Sequence, residues 1–219
     1  TAVDASDGAV IGGGINGPVT AGEIGQILSF GGTAPEGEIT AKGDIDHLFV
    51  RGGTIAGDVE AGAETGEGGE GHIGSIIAQS GVSGDVSADD GMSFMWSRGI
   101  LSGDVLVAGN LDHLRVSDGD LTGDVTVDGS DTQPGRMITL MVNGGQINDT
   151  TPGDAEVDVA GDLRSMMVRG SGSGEAAVVG NVNVEGRLGF YYVRDGEWIQ
   201  GTLEAGAIGY LLKNIQADK

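Results

Sequence analysis

Cysteine is absent from all 219 residues. That removes disulfide frameworks, zinc–thiolate sites and cysteine nucleophiles together. Proline is scarce, at 4 residues, and no Gly-X-Y period runs through the chain, so it is not collagen. Bases are scarce as well: 11 Lys and Arg stand against 33 Asp and Glu, for a net charge of −22. A nucleic-acid partner needs Lys and Arg for its phosphates, so none is expected. Anionic membrane surfaces are disfavoured for the same reason. No run approaches the ~18 apolar residues of a helical membrane span, and no membrane insertion is expected. The sequence opens on Thr1 with neither a start Met nor an apolar signal segment, which reads as a mature, processed chain.

What the chain has in excess is glycine, 44 residues, about three times the usual share. It also repeats itself. Gly57-Asp58-Val59-Glu60-Ala61-Gly62 returns as Gly84-Asp85-Val86-Ser87-Ala88, as Gly103-Asp104-Val105-Leu106-Val107-Ala108-Gly109 and as Gly123-Asp124-Val125-Thr126-Val127-Asp128-Gly129. A period of about 20 residues is the signature of a stacked repeat architecture. The apolar residue after each Gly-acid pair anchors an alignment through Val19, Ile39, Val59, Val86, Val105, Val125, Val157, Val182 and Leu203. Four insertions interrupt it near 63–70, 130–135, 148–153 and 170–177. All are rich in Gly, Ser, Thr or acids, as surface loops are. Within a repeat the apolar period is 2, β-branched residues dominate and Gly marks the breaks. These features predict one all-β domain over 1–219. The expected form is a parallel β-helix, a β-solenoid of about nine coils of ~20 residues, right-handed, with loops inserted at its corners. Val59, Val86, Val105, Val125, Leu111 and Leu114 are its candidate core.

The stretch from Gly103 to Val125, GDVLVAGNLDHLRVSDGDLTGDV, resembles the β-strand repeats of bacterial extracellular surface and secreted proteins. The resemblance covers nearly the whole chain, and its motif is largely compositional. It implies an extracellular or cell-surface β-solenoid and no particular activity. A more remote likeness is to bactofilins, whose short β-helices polymerise end to end; it implies stacking of copies.

Stacked repeats place equivalent residues in columns. The column before the anchor reads Pro18, Glu38, Asp58, Asp85, Asp104, Asp124, Glu156, Asn181 and Thr202. Six acids in succession are Glu38, Asp58, Asp85, Asp104, Asp124 and Glu156. Like charges about 5 Å apart cost about 1 kcal/mol per pair even in water. The column is therefore either a row of solvated turn acids or a ladder bridged by a hard cation such as calcium.

Two further columns are predicted to point outward from the Φ-x-x-Φ-x-V stretch typified by Leu111, Leu114 and Val116. One reads Leu28, Phe49, Ile77, Trp96, Arg115, Met141, Met167, Tyr192 and Leu212. Its neighbour reads Gln26, His47, Ser75, Phe94, His113, Thr139, Ser165, Phe190 and Tyr210. Together they hold six of the nine aromatic residues. Bare, they form a larger apolar patch than a soluble monomer tolerates. They are expected to dock another protein, another copy or sugar rings, or else to lie under an insertion loop.

Catalytic chemistry is hard to find. His47 and His113 share a column but lie three repeats apart, and Asp46 and Asp112 diverge from them on a strand. Asp89-Asp90 is a lone acid pair without supporting bases nearby in its column. Asn148-Asp149-Thr150 fits a glycosylation acceptor, though it equally reads as a turn. Neither Thr1–Gly14 nor the segment from Tyr210 to Ile215 reads as a cap. The expectation is a non-enzymatic structural subunit that stacks head to tail with itself, with calcium assisting. The alternative is an adhesin or stalk module whose aromatic face contacts carbohydrate or a surface protein.

Overall fold

A computed structural model describes residues 9–62, 71–130, 133–148, 155–170, 178–194 and 203–205. Among these the regular structure is all β, with no helix. The strands alternate between two parallel sheets of nine. In the first, after a three-residue opening strand Ala9–Ile11, every strand has six to eight residues. It continues through Ile24–Ser29, Ile45–Val50, His72–Ala78, Gly91–Arg98, Asn110–Ser117, Met137–Asn143 and Leu163–Arg169 to Leu188–Arg194. In the second, every strand has three or four residues. It runs through Val19–Ala21, Ile39–Ala41, Val59–Ala61, Val86–Ala88, Val105–Val107, Val125–Val127, Glu156–Val159 and Asn181–Val184 to Leu203–Ala205. A third line consists only of single bridges, from Ile15 and Thr33 through Ile55, Val82, Leu101, Leu121 and Ile147 to Val178.

The expected architecture, one parallel β-helix of about nine coils, is thereby corrected to two nine-stranded parallel sheets side by side. The handedness attached to that expectation goes with it. The cause lies inside each repeat. It carries two strand-forming stretches of unequal length, and the Gly-rich breaks between them keep each strand ladder within its own sheet. The insertion near 130–135 is also more ordered than a loop: Gly129–Ser130 and Gln133–Pro134 pair antiparallel. The insertions near 63–70, 148–153 and 170–177 lie wholly or mostly outside the described residues.

Register follows the sequence columns. All nine anchors face one another along the short-strand sheet, from Val19↔Ile39 to Val182↔Leu203. Along the long-strand sheet the pairs Leu111↔Met137 and His113↔Thr139 skip residue 112. The same place is skipped at Gly25, Asp46, Gly74 and Ser93. In each of these strands one residue is left out of the pairing, which is why the Φ-x-x-Φ spacing turns both apolar residues inward. The inward residues of both sheets and of the bridge line form one apolar core, in which Val59, Val86, Val105, Val125, Leu111 and Leu114 are buried.

Glycine of the Gly-Asp-Val motif is there for closeness. A Cβ on Gly84, Gly103 or Gly123 would collide with the carbonyl oxygen of the preceding repeat's glycine, namely Gly57, Gly84 and Gly103. Stacked glycines let successive backbones approach at this corner.

Candidate functional site

The acidic column has a use that needs no metal. In a parallel ladder the anchor amide bonds the following repeat: Val86 N–H donates to the Asp104 carbonyl at 2.8 Å. The amide of the residue before it points the other way, toward the preceding repeat. There the aspartate side chain receives it. Asp85 N–H donates to Asp58 Oδ1 at 2.9 Å, Asp104 to Asp85 at 2.9 Å, Asp124 to Asp104 at 3.0 Å and Glu156 to Asp124 at 2.9 Å. These bonds start at Asp58 and close on Glu156, whose own neighbour Asn181 donates instead to the Ala155 carbonyl. Glu38 continues the column one repeat earlier and is exposed. A charge-assisted bond to a main-chain amide outweighs a neutral one and offsets the repulsion between adjacent carboxylates. The same device recurs at the other corners. His72 N–H donates to Asp44 Oδ1, Gln146 to Asp120 and Arg187 to Asp162, each at 2.8 Å. Among the described residues no group of three or more His, Asp or Glu side chains converges as a metal site.

The long-strand sheet carries the aromatic columns, in the register read from the sequence. Leu28, Phe49, Ile77, Trp96, Arg115, Met141, Met167 and Tyr192 succeed one another on adjacent strands. Gln26, His47, Ser75, Phe94, His113, Thr139, Ser165 and Phe190 form the row beside them. They alternate with buried residues such as Met95 and Leu114, so these rows face outward. Phe190 is 52% exposed, while Phe49, Phe94, Trp96, Met141, Met167 and Tyr192 are half-buried. Tyr210 and Leu212 lie outside the described residues.

The half-burial is lateral. The Phe190 and Tyr192 rings lie 6.4 Å apart and within 8° of parallel. The Arg115 guanidinium sits 5.6 Å from the Trp96 ring centre, and Arg169 sits 6.0 Å from that of Tyr192. Both contacts are within cation–π range. Trp96 Nε1–H and Arg115 Nε–H both donate to Ser117 Oγ, at 3.3 and 3.0 Å. Trp96 is thus braced by an arginine of the following strand and Tyr192 by one of the preceding strand, and the rows present a pre-formed surface.

Arginine is what the sequence columns missed. All eight arginines of the chain lie in or immediately beside the long strands, from Arg51 after Val50 to Arg194. Arg98, Ser117, Asn143 and Arg169 share one register line, next to the row of Trp96 and Tyr192. The short strands contain no Lys or Arg at all. Counting arginines by stretch, long against short, rather than by column would have exposed this asymmetry. Three exposed apolar residues were also missed: Phe30, Ile100 and Leu106.

Two histidines are tied to a serine on the following strand. His47 Nδ1 shares a hydrogen bond with Ser75 Oγ at 2.9 Å, and His72 Nε2 with Ser93 Oγ at 2.8 Å. His72, Asp90, Asp112 and Arg136 line a shallow depression of about 240 Å³. Tyr191, facing inward beside the core, has its phenol pKa pushed up to about 12 by desolvation. No family model, no curated protein and no solved structure matches this chain.

Proposed function

We propose that this protein is a non-enzymatic structural and binding element of the cell exterior, and that its long-strand face is the docking surface. The observation that supports it is the outward row from Leu28 to Tyr192, in which Trp96 and Tyr192 are each stacked against an arginine. Aromatic rings and arginines are what protein interfaces concentrate. The extracellular setting rests on the resemblance of the Gly103–Val125 repeat to bacterial surface proteins. Calcium is not needed for the ladder, because one oxygen of each ladder aspartate already holds an amide.

The test uses Trp96 as its reporter. With Trp198 replaced by Phe, its fluorescence is followed as the protein is titrated with itself and with neutral and uronate oligosaccharides. A saturable shift, lost in Tyr192→Ser, is expected. A Trp96 signal that none of these ligands moves overturns the docking face.

A second reading, end-to-end stacking, draws on the sheet edges. Among the described residues the outermost strands, Ala9–Ile11 and Leu188–Arg194, each have one ladder neighbour. Open parallel edges can continue a sheet across copies. Electron microscopy of the purified chain with and without calcium would show filaments under this reading and discrete particles without it.

A further inference from the structure

We infer that the occupant of the long-strand face is a second copy of this chain, bound through its acidic short-strand face. This rests on the docking reading above and names its partner. The two faces are complementary in charge. One displays Arg51, Arg115 and Arg169 beside the aromatic rows, with Arg98 already paired to Asp118. The other bears the carboxylates of Asp58, Asp85 and Asp104, with Glu60 outward on its own strand. A carboxylate accepts at about four lone-pair positions, so an aspartate holding one amide still has room for a guanidinium. The faces are also complementary in apolar content. Leu106, outward at the middle of the short-strand sheet, is 48% exposed amid this acidic surface. It is a projecting apolar residue that an aromatic row can receive.

Spacing supports the match. Both faces advance by one strand per repeat, ~4.8 Å. The strands of two copies therefore stay in step along the contact, with Arg98 and Arg169 three strands apart on one register line. Copies of net charge −22 repel at long range, but at physiological salt that field decays over about 8 Å, whereas contact pairs persist. Because unlike faces meet, the contact is heterologous and does not close, so it builds side-by-side arrays.

Sedimentation velocity on the full chain tests this. Self-association is expected at ~0.15 M salt and weakens at ~1 M salt. Arg115→Glu with Arg169→Glu, and separately Glu60→Arg with Leu106→Arg, should each weaken it about tenfold or more. An equimolar mixture of the two variants should pair again, since the first keeps its acidic short face and the second its arginine-bearing long face. Far-UV circular dichroism checks that both keep their strands. Where a reversal does not, Arg115→Gln with Arg169→Gln and Glu60→Gln with Leu106→Ala read the same loss and the same recovery on mixing. A wild type that stays monomeric at every concentration and salt overturns the inference. So does association insensitive to the short-face variants, which would mean long face on long face. If the chain is monomeric yet Trp96 responds to an oligosaccharide, the docking face stands and the second copy falls. If neither occurs, both fall.

Discussion

The two sheets share a core, a rise and a chain, yet they do different work. The short strands leave one outward residue per repeat, or two where the strand has four residues. Their sequence is spent on the corner: a glycine that must be bare, an aspartate that must accept, a valine that must face inward. The long strands hold the larger inward residues, such as Met92, Met95, Leu111 and Leu114. They also carry at least two outward rows, and those rows hold the rings and guanidiniums. Strand length therefore decides which face can vary its chemistry. A three-residue strand has room for its own register and little else.

That contrast can be broken most directly in the core. Leu114→Ala on the long-strand side should cost about 2–5 kcal/mol by urea denaturation. Val105→Ala on the short-strand side should cost clearly less, because fewer buried atoms go. Equal losses would mean that the sheets contribute alike. An alkaline titration separates them next. The folded pKa of Tyr191 lies above the ordinary value of 10, so its neutral form contributes stability that is complete below pH 10 and lost as pH rises toward 12. The loss is on the order of 2–3 kcal/mol from a two-unit shift. Tyr191→Phe should flatten that part of the pH–stability curve, and an unchanged alkaline slope would refute the assignment.

Gly103→Ala should cost about 1–3 kcal/mol, since the new methyl meets a backbone carbonyl. Gly22→Ala, with open space around it, should change stability little. Asp104→Ala leaves the Asp124 amide without its acceptor and should cost about 1 kcal/mol, whereas Asp104→Asn keeps an acceptor oxygen and removes a repulsive charge. If Asn proves as damaging as Ala, charge matters more than the bond, and a cation at the ladder becomes the better account. A calcium titration of the melting temperature would check it. The smallest effect belongs to the exposed pair of Arg98 and Asp118, 3.0 Å apart. Arg98→Ala should cost less than about 0.5 kcal/mol.

The repeat, its anchors and the outward parity of Trp96 and Tyr192 were legible in the sequence, because each depends only on which residues stack. The division into two sheets was not. Aligning on one anchor per repeat merges two stretches whose unequal lengths matter only once hydrogen bonds are assigned. The role of the aspartates was hidden for a related reason. Their partners are main-chain amides, which every residue has, so no side-chain pattern marks them. Stacking showed that Asp85 neighbours Asp104 and said nothing about which way an oxygen points. The arginines escaped because they occupy several columns of the repeat, and a column-by-column reading scatters them. Strand Ala9–Ile11 escaped because its repeat has no Gly-acid pair before it.

One detail of the ladder bears on how such a chain changes length. Asp104 reaches Asp85 across 19 residues and Glu156 reaches Asp124 across 32, at the same 2.9 Å. The extra segment leaves no trace in the bond. Loop-closure entropy grows only logarithmically, about 0.6 kcal/mol for a doubling of loop length. The corners therefore act as splice points, where foreign peptides can be grafted and insertions and deletions absorbed, while the neighbouring rungs keep their alignment.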